Sequence, residues 1–234
     1  SKKYQIHFIS YKKPVRLDRS MNNITYHKVD IPHYPLFEYP PYELALTAKI
    51  VQVVEDFKLD ILHVHYAIPH AYSAVNAQNI LLKKDITIPI VTTLHGTDIT
   101  LVGSSPFVLP AVDYAISNSN LITAVSEDLK NQTLSTFNMD KDILVIPNFI
   151  SLNTKLPFVI NNKKKLLHIS NFSPVKRVHD VIKVFAGVIE KIPSELIMIG
   201  DGPELDSAKL LVKKMGLDND CLLYTSPSPR DLRK

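Results

Sequence analysis

The chain has 234 residues, 45% hydrophobic and 21% charged, the balance of an ordinary soluble globular protein. That length suits one large domain or two small ones, and a net charge of +4 with no tryptophan and no strongly basic helix sets nucleic acid aside while leaving room for anionic small molecules. No apolar run is long enough to cross a bilayer, no secretory leader is read from Lys2-Lys3 and the short run behind them, and the single Cys221 excludes an intramolecular disulfide framework, so the sequence predicts a cytoplasmic protein.

Strand-like alternation opens the chain at 4–10 and returns at 23–29. Tyr39-Pro40-Pro41-Tyr42 then leads into a helix over 42–58, with Leu46, Ile50, Val53, Val54 and Phe57 at helical spacing. Prolines just ahead of a helix suit a first turn whose amides need no partner. A strand is expected at 60–66, a helix at 71–83, a strand at 88–94, a short helix at 107–117 and a strand at 121–125. Ser126 should cap a helix running to 137, its hydroxyl accepting from a first-turn amide. A strand at 143–146 is closed by Pro147-Asn148.

The pattern breaks over 153–165, where Pro157, Asn161, Asn162 and Lys163-Lys164-Lys165 read as a linker. Strands follow at 166–170 and 196–199 and helices at 178–191 and 204–215, with Gly216 as the residue that ends the last helix. From Tyr224 onward Thr225-Ser226-Pro227-Ser228-Pro229-Arg230-Asp231 has no apolar period. Repeated strand–helix–strand units imply an α/β protein with parallel sheets. The expected organisation is a Rossmann-like domain over 1–150, a linker over 151–163, the start of an incomplete second Rossmann-like domain over 164–222 and an anomalous tail over 223–234.

Three stretches carry chemistry. Thr92-Thr93-Leu94-His95-Gly96-Thr97-Asp98-Ile99-Thr100 stands past a short apolar run, where open α/β sheets bind ligands. Gly96 would let the backbone approach a ligand closely; a polar turn that satisfies its own backbone is the plainer alternative. In His63-Val64-His65 alternation puts both imidazoles on one face. With His70, His95 and Asp98 this could form a metal site, but the carboxylates and further histidines it needs are not visible at matching strand ends, and the favoured reading has one histidine packed in the sheet and another lining the crevice. Gly200-Asp201-Gly202-Pro203 permits a tight turn before a helix, and Lys176-Arg177 stands before the helix at 178, where partial positive charge suits a diphosphate. Two solvated cations are the simpler reading of Lys176-Arg177. No Gly-x-Gly-x-x-Gly, phosphate-binding Walker loop or Gly-x-Ser-x-Gly elbow is present.

Taken in order, Phe37-Glu38-Tyr39-Pro40-Pro41-Tyr42, Asp60-Ile61-Leu62-His63-Val64-His65-Tyr66-Ala67-Ile68-Pro69-His70-Ala71, the Thr92 block, Thr123-Ala124-Val125-Ser126, Asn148-Phe149, His168-Ile169-Ser170-Asn171-Phe172, Lys176-Arg177 and Gly200-Asp201-Gly202-Pro203-Glu204 resemble the retaining GT-B glycosyltransferases of family 4. Within them the likeness is to the branch that joins N-acetylglucosamine to L-malate in bacillithiol biosynthesis. Gly-Asp-Gly-Pro is generic to the superfamily; the His63 and Thr92 blocks are more specific.

The resemblance implies transfer of N-acetylglucosamine from UDP-GlcNAc to the malate hydroxyl with retention of the α configuration. It implies no cofactor and no metal, with the nucleotide sugar and a small hydroxy acid as partners, no membrane partner, and homo-oligomerisation left open. In such enzymes the donor lies mainly against the second domain and the acceptor against the first. By resemblance, His95 stands near the donor sugar and Lys176 meets the donor diphosphate, the two positions expected to serve catalysis. Tyr66 and Thr93 line the acceptor pocket, and Gly200 and Asp201 lie by the nucleoside. Gly96, Thr97, Asp98, Asn148, Asn171, Arg177 and Gly202 complete the expected substrate-binding set. A front-face route needs no enzyme base, so His95 is assigned to positioning.

The sequence also departs from the family pattern. A leading strand with a Gly-rich loop, and a later pair of glutamates, are expected and not found, so the chain alone is expected to be an inactive fragment. The tail resembles translated sequencing-adapter sequence. Ser173 stands where an arginine is usual, and Asp113 where a basic acceptor contact is expected. Asp113 motivates a rival family-4 reading with another acceptor. Outside the family, the rivals are a metal-dependent hydrolase on His63, His65 and His95, and a non-catalytic binding fragment.

Overall fold

A computed structural model describes residues 3–14, 17, 22–31, 40–100, 105–137, 139–149 and 163–225. The chain divides into two compact units, Ser1–Ser151 and Leu152–Lys234. The linker expected over 151–163 falls, apart from Lys163, outside the described residues, as do the motif residues 37–39 and the tail from 226.

In the first unit β1 (Ile6–Ser10) and β2 (Ile24–Lys28) form a two-stranded parallel sheet. A second sheet holds β3 (Leu62–His65), β4 (Ile90–Leu94), β5 (Leu121–Ala124) and β6 (Ile143–Val145), parallel and in sequence order. The helices are α1 (Tyr42–Phe57), α2 (Tyr72–Leu82), the one-turn α3 (Thr97–Thr100), α4 (Leu109–Ser117) and α5 (Glu127–Phe137). A π-turn, Ala67–Ala71, joins β3 to α2.

Sequential parallel strands with crossovers of one hand bring their connecting helices to one face. The packing agrees. Leu46, Ile50 and Val54 of α1 and Ala74, Val75 and Leu81 of α2 close over Leu62 and Ile90. Val112 and Ile116 of α4 and Leu129 of α5 close over Leu94, Ile122, Ala124 and Ile143. The opposite face, with His63, His65, Leu121 and Leu144, is left exposed. The expected cap forms: Ser126 Oγ accepts from the Leu129 amide at 3.2 Å, at the third helical position.

The second unit contains β7 (Lys164–Ile169), β8 (Ser194–Ile199) and β9 (Cys221–Tyr224), again parallel and sequential, with α6 (Val178–Ile189) and α7 (Leu205–Lys214). Phe172, Ile182, Phe185, Leu196, Met198, Ala208 and Val212 form its core. At Gly216 (φ +68°) its amide donates to the Lys213 carbonyl and the Leu217 amide to that of Val212, the paired bonds of a glycine C-cap. Strand β9 corrects the expected boundary. Leu223 and Tyr224 pair with Met198 and Ile199, so they belong to the sheet and not to the anomalous tail. The short apolar run Cys221-Leu222-Leu223 completes the third strand despite the composition that follows it.

Candidate functional site

Because all four strands of the larger sheet run parallel, their carboxyl ends share one edge. That edge gathers Tyr66 after β3, His95 after β4, Ser126 after β5 and Asn148 beyond β6. The Tyr66 amide donates to the Thr93 carbonyl at 2.9 Å, carrying the β3–β4 ladder one step past its end. Tyr66 then adopts φ 75°, ψ 137°, uncommon for an aromatic residue and of the kind that surrounding structure must enforce. Its exposed ring lies 4.8 Å from the His95 ring.

Asp98 holds the two loops together. It is 3% exposed; Oδ1 accepts from the amides of His95 (3.2 Å) and Gly96 (3.0 Å), and Oδ2 accepts from the amide of Ala67 (2.9 Å). Its carboxylate is therefore engaged by backbone, whereas the resemblance placed it among the ligand-binding groups. Gly96 has φ +113°, where a side chain would be strained. Its carbonyl accepts from the amides of Ile99 and Thr100, which starts α3. Thr97, on that turn, is exposed.

Thr93 is likewise turned inward. Its Oγ1 lies 2.8 Å from His63 Nε2 and 2.7 Å from Thr123 Oγ1, and it is 9% exposed. Its hydroxyl is thus built into the sheet, whereas the resemblance placed it in the acceptor pocket. The histidines form a stack: His63 on His65 with centroids 4.8 Å apart, and His65 Nδ1 at 2.8 Å from His95 Nε2. His70 Nδ1 donates to the His65 carbonyl at 2.6 Å. Among the described residues no group of three or more His, Cys, Asp or Glu is arranged to hold a metal, so the metal site considered on His63, His65 and His95 is not formed. The rings bond to one another and to Thr93 instead of converging on a point.

Both residues reach solvent, but partial burial of their stacked rings lowers the pKa of His63, with His95 adding to the effect, and lowers that of His65, followed by His63, His95 and His70. A histidine with a lowered folded-state pKa is protonated first in the unfolded chain. Its stabilising contribution is then complete above the unfolded value near 6.5 and falls away as pH drops through the window below it. The melting temperature of the first unit should therefore decline between pH 7 and pH 5, and less steeply in His65→Gln. A thermal melt series checks this, and parallel profiles for the two proteins would remove His65 from the account.

Asp113 lies on α4, where its Oδ1 accepts from Ser117 Oγ at 3.3 Å, in a hollow lined by Phe137, Met139, Asp140 and Lys141. Asn120, just beyond, exchanges bonds with Ile90 through its amide (2.9 Å) and Oδ1 (2.8 Å) at the amino-terminal starts of β4 and β5. Asp113 therefore stands toward the end of the sheet opposite Tyr66 and His95, whereas the resemblance placed an acceptor contact at this position.

In the second unit the loops after β7 and β8 lock together. Ser170 and Phe172 donate to the carbonyls of Ile199 (3.1 Å) and Asp201 (3.0 Å), and the Glu204 amide to that of Phe172 (2.9 Å). A Cβ on Gly200 would lie 1.8 Å from the Ser170 carbonyl oxygen, and one on Gly202 only 2.8 Å from the Phe172 nitrogen. Both glycines are thus required by the neighbouring chain, a reason the tight-turn reading missed. Asp201 Oδ1 accepts from the Gly202 amide at 2.8 Å, so it too shapes the turn.

Lys176 ends the 3₁₀ turn Pro174–Lys176, and Arg177, at φ 51°, leads into α6. Arg177 grips Asp180 Oδ2 through Nε at 2.6 Å, whereas Lys176 is exposed and, among the described residues, without an ion-pair partner. Burial and then the Lys176 charge lower the pKa of His168, whose Nε2 lies 2.8 Å from Ser170 Oγ. Of the expected pair of cations, Lys176 is the one left unpaired. Asn171 and Asn148 are both exposed, and Asn171 Oδ1 accepts a long bond from Ser173 Oγ at 3.4 Å.

Two parallel α/β units of this construction, with polar loops gathered at strand carboxyl ends, define the GT-B type of glycosyltransferase fold. Residues 1–154 match the model for Glycosyltransferase Family 4 and residues 155–234 that for glycosyl transferases group 1. The chain belongs to Glycosyltransferase Family 4. It is 41% identical over 229 residues to N-acetyl-alpha-D-glucosaminyl L-malate synthase of Bacillus anthracis, covering 94% of this chain and 59% of that protein. It is 28% identical to the uncharacterized glycosyltransferase MJ1178 of Methanocaldococcus jannaschii, covering 95% and 58%. Among solved structures, Anabaena HepE in complex with UDP and glucose shares the fold at a TM-score of 0.63 and 18% identity, covering 88% and 56%. The chain thus spans a little under three-fifths of the curated relatives it matches. Among the described residues no helix is long and apolar enough to cross a membrane.

Proposed function

We propose that the protein transfers N-acetylglucosamine from UDP-GlcNAc to the hydroxyl of L-malate with retention at the anomeric carbon, a cytoplasmic step in bacillithiol biosynthesis. The observation that carries this reading is the 41% identity, across 94% of the chain, to a protein named for that product. Asp113, toward the other end of its sheet, offers no ground for preferring a neutral acceptor.

In the reaction the bond from the anomeric carbon to the UDP oxygen breaks. The malate oxygen bonds to the same face, and its proton passes to the departing phosphate. Lys176 stabilises the charge that gathers on the leaving diphosphate, and a fixed cation aimed at developing charge is an efficient catalytic device. His95 holds a sugar hydroxyl, Tyr66 lines the acceptor side, and exposed Asn148, Asn171 and Thr97 supply polar contacts. Neither metal nor cofactor takes part.

Assay of the full-length protein carrying these residues, with UDP-GlcNAc and either L-malate or glycerol, tests the reading: GlcNAc-malate should form and the glycerol product should not. Because Lys176 is exposed and partly screened, Lys176→Ala should lower kcat by roughly tenfold to a hundredfold, somewhat less than loss of a buried donor. An unchanged kcat would sink the role given to Lys176, and glycerol turnover equal to that with malate would sink the acceptor.

A further inference from the structure

The side chain of His95 is held at one nitrogen only. Nε2 lies 2.8 Å from His65 Nδ1, and among the described residues Nδ1 has no partner. His65 is the better anchored of the two. It closes the regular strand β3, paired in register with Thr93, while His95 stands in the loop beyond β4. His63 stacks on the His65 ring, and His63 is itself pinned through Nε2 to Thr93 Oγ1. Behind it, His70 fixes the His65 carbonyl. The backbone of His95 is held by Asp98 and its ring is flanked by Tyr66, but neither contact decides how the imidazole is turned about its own axis or which nitrogen carries the proton.

We propose that His65 is a positioning residue for His95: by occupying Nε2 it fixes the orientation and tautomer of the His95 ring and leaves Nδ1 as the nitrogen that meets the donor sugar. A bond between two neutral imidazoles holds one proton, so the state of one ring dictates that of the other. Burial and the three neighbouring histidines favour neutral His65, which keeps the pairing intact near neutral pH. His65 was legible from the sequence as a candidate metal ligand or, in the favoured reading, as a histidine packed on the sheet or lining the crevice, but not as a partner of His95. Its bond to His95 comes from the β3–β4 register, which brings together residues 30 apart in the chain.

The inference rests on the reading of His95 as a sugar contact, and the experiment separates the two. In the full-length protein, His65→Leu should lower kcat/KM for UDP-GlcNAc by about tenfold to a hundredfold, while His65→Asn, whose amide overlies the Nδ1 position, should stay within about threefold of the parent. In a His95→Ala background, His65→Leu should add less than about twofold, because the contact it removes is already gone. Equal impairment by Leu and Asn at equal melting temperature, or no loss with Leu, overturns the proposal. Full activity of His95→Ala overturns instead the reading of His95. Two-bond proton–nitrogen spectra of the present chain judge the contact without any turnover. A single His95 tautomer in the parent and a mixture in His65→Leu support it, and an identical pattern in both refutes it.

Discussion

Asp98→Ala is expected to destabilise the first unit by about 3 kcal/mol and lower its melting temperature by roughly 6–12 °C. One buried carboxylate satisfies three backbone amides, from Ala67, His95 and Gly96. Removing it strands the buried Ala67 amide and the part-buried amides of His95 and Gly96; a buried donor left unpaired costs about 1–3 kcal/mol, and water partly relieves the other two. Asp98→Asn should fall between. Its carbonyl oxygen can keep His95 and Gly96, but its amide then faces the Ala67 amide, donor against donor. A melt of the three proteins tests this ordering. If Asp98→Ala melts like the parent, the carboxylate is not what joins the two loops. The functional cost follows from the same bonds, because they hold the strained Tyr66 next to His95.

Gly200→Ala should be at least as damaging to the second unit. The new methyl would meet the Ser170 carbonyl oxygen at 1.8 Å and the Phe172 ring at 3.0 Å, and the first of these is backbone, which cannot swing aside. Overpacking and backbone displacement together cost about 3–5 kcal/mol. That is comparable with the whole stability of a unit this small, so cooperative unfolding of Leu152–Lys234 should weaken or vanish. Gly187→Ala is the matched control: it sits in α6 with nothing within 4 Å, and there alanine should stabilise by about 0.5–1 kcal/mol. Hydrogen exchange of β7 and β8 amides reports both. Protection in Gly200→Ala equal to that in the parent would show that the loop yields more easily than its bonds suggest.

Much of the architecture could be read from residues because the signals are local. The spacing of Leu46, Ile50, Val53 and Val54 in α1, the cap at Ser126 and the glycine stop at Gly216 each act within a few positions. The short runs around Leu62, Ile90 and Ile122 were found for the same reason. Strand β9 was missed because the composition turns directly after it, and because pairing with β8, not its own pattern, makes it a strand.

The site was legible as a location and less so as a division of labour. Thr93 and Asp98 have the chemistry of ligand contacts, yet both face protein, Thr93 toward His63 and Thr123, Asp98 toward three amides. Gly200 and Gly202 were read as a tight turn beside a ligand; Gly200 is demanded by the Ser170 carbonyl and Gly202 by the Phe172 backbone. In each case the partner lies on a neighbouring strand or loop, and register across a parallel sheet is not written in the local sequence. Arg177 and Lys176 are adjacent and alike in charge; among the described residues only the placement of Asp180 distinguishes the tethered cation from the one without an ion-pair partner.

The order of the strands has a kinetic consequence. Each strand of the larger sheet pairs with the one before it, so contacts such as His63–Thr93 and Thr93–Thr123 each bridge only 30 residues. A sheet with its first and last strands side by side would need the whole domain closed into a loop before any reward. Here every β–α step can dock on the one already formed, and the entropy of closure arrives in equal instalments. The separation is still long compared with a helical hairpin, which puts folding of the first unit on a millisecond-to-second scale. The edge that gathers Tyr66, His95 and Asn148 is completed only as successive strands dock.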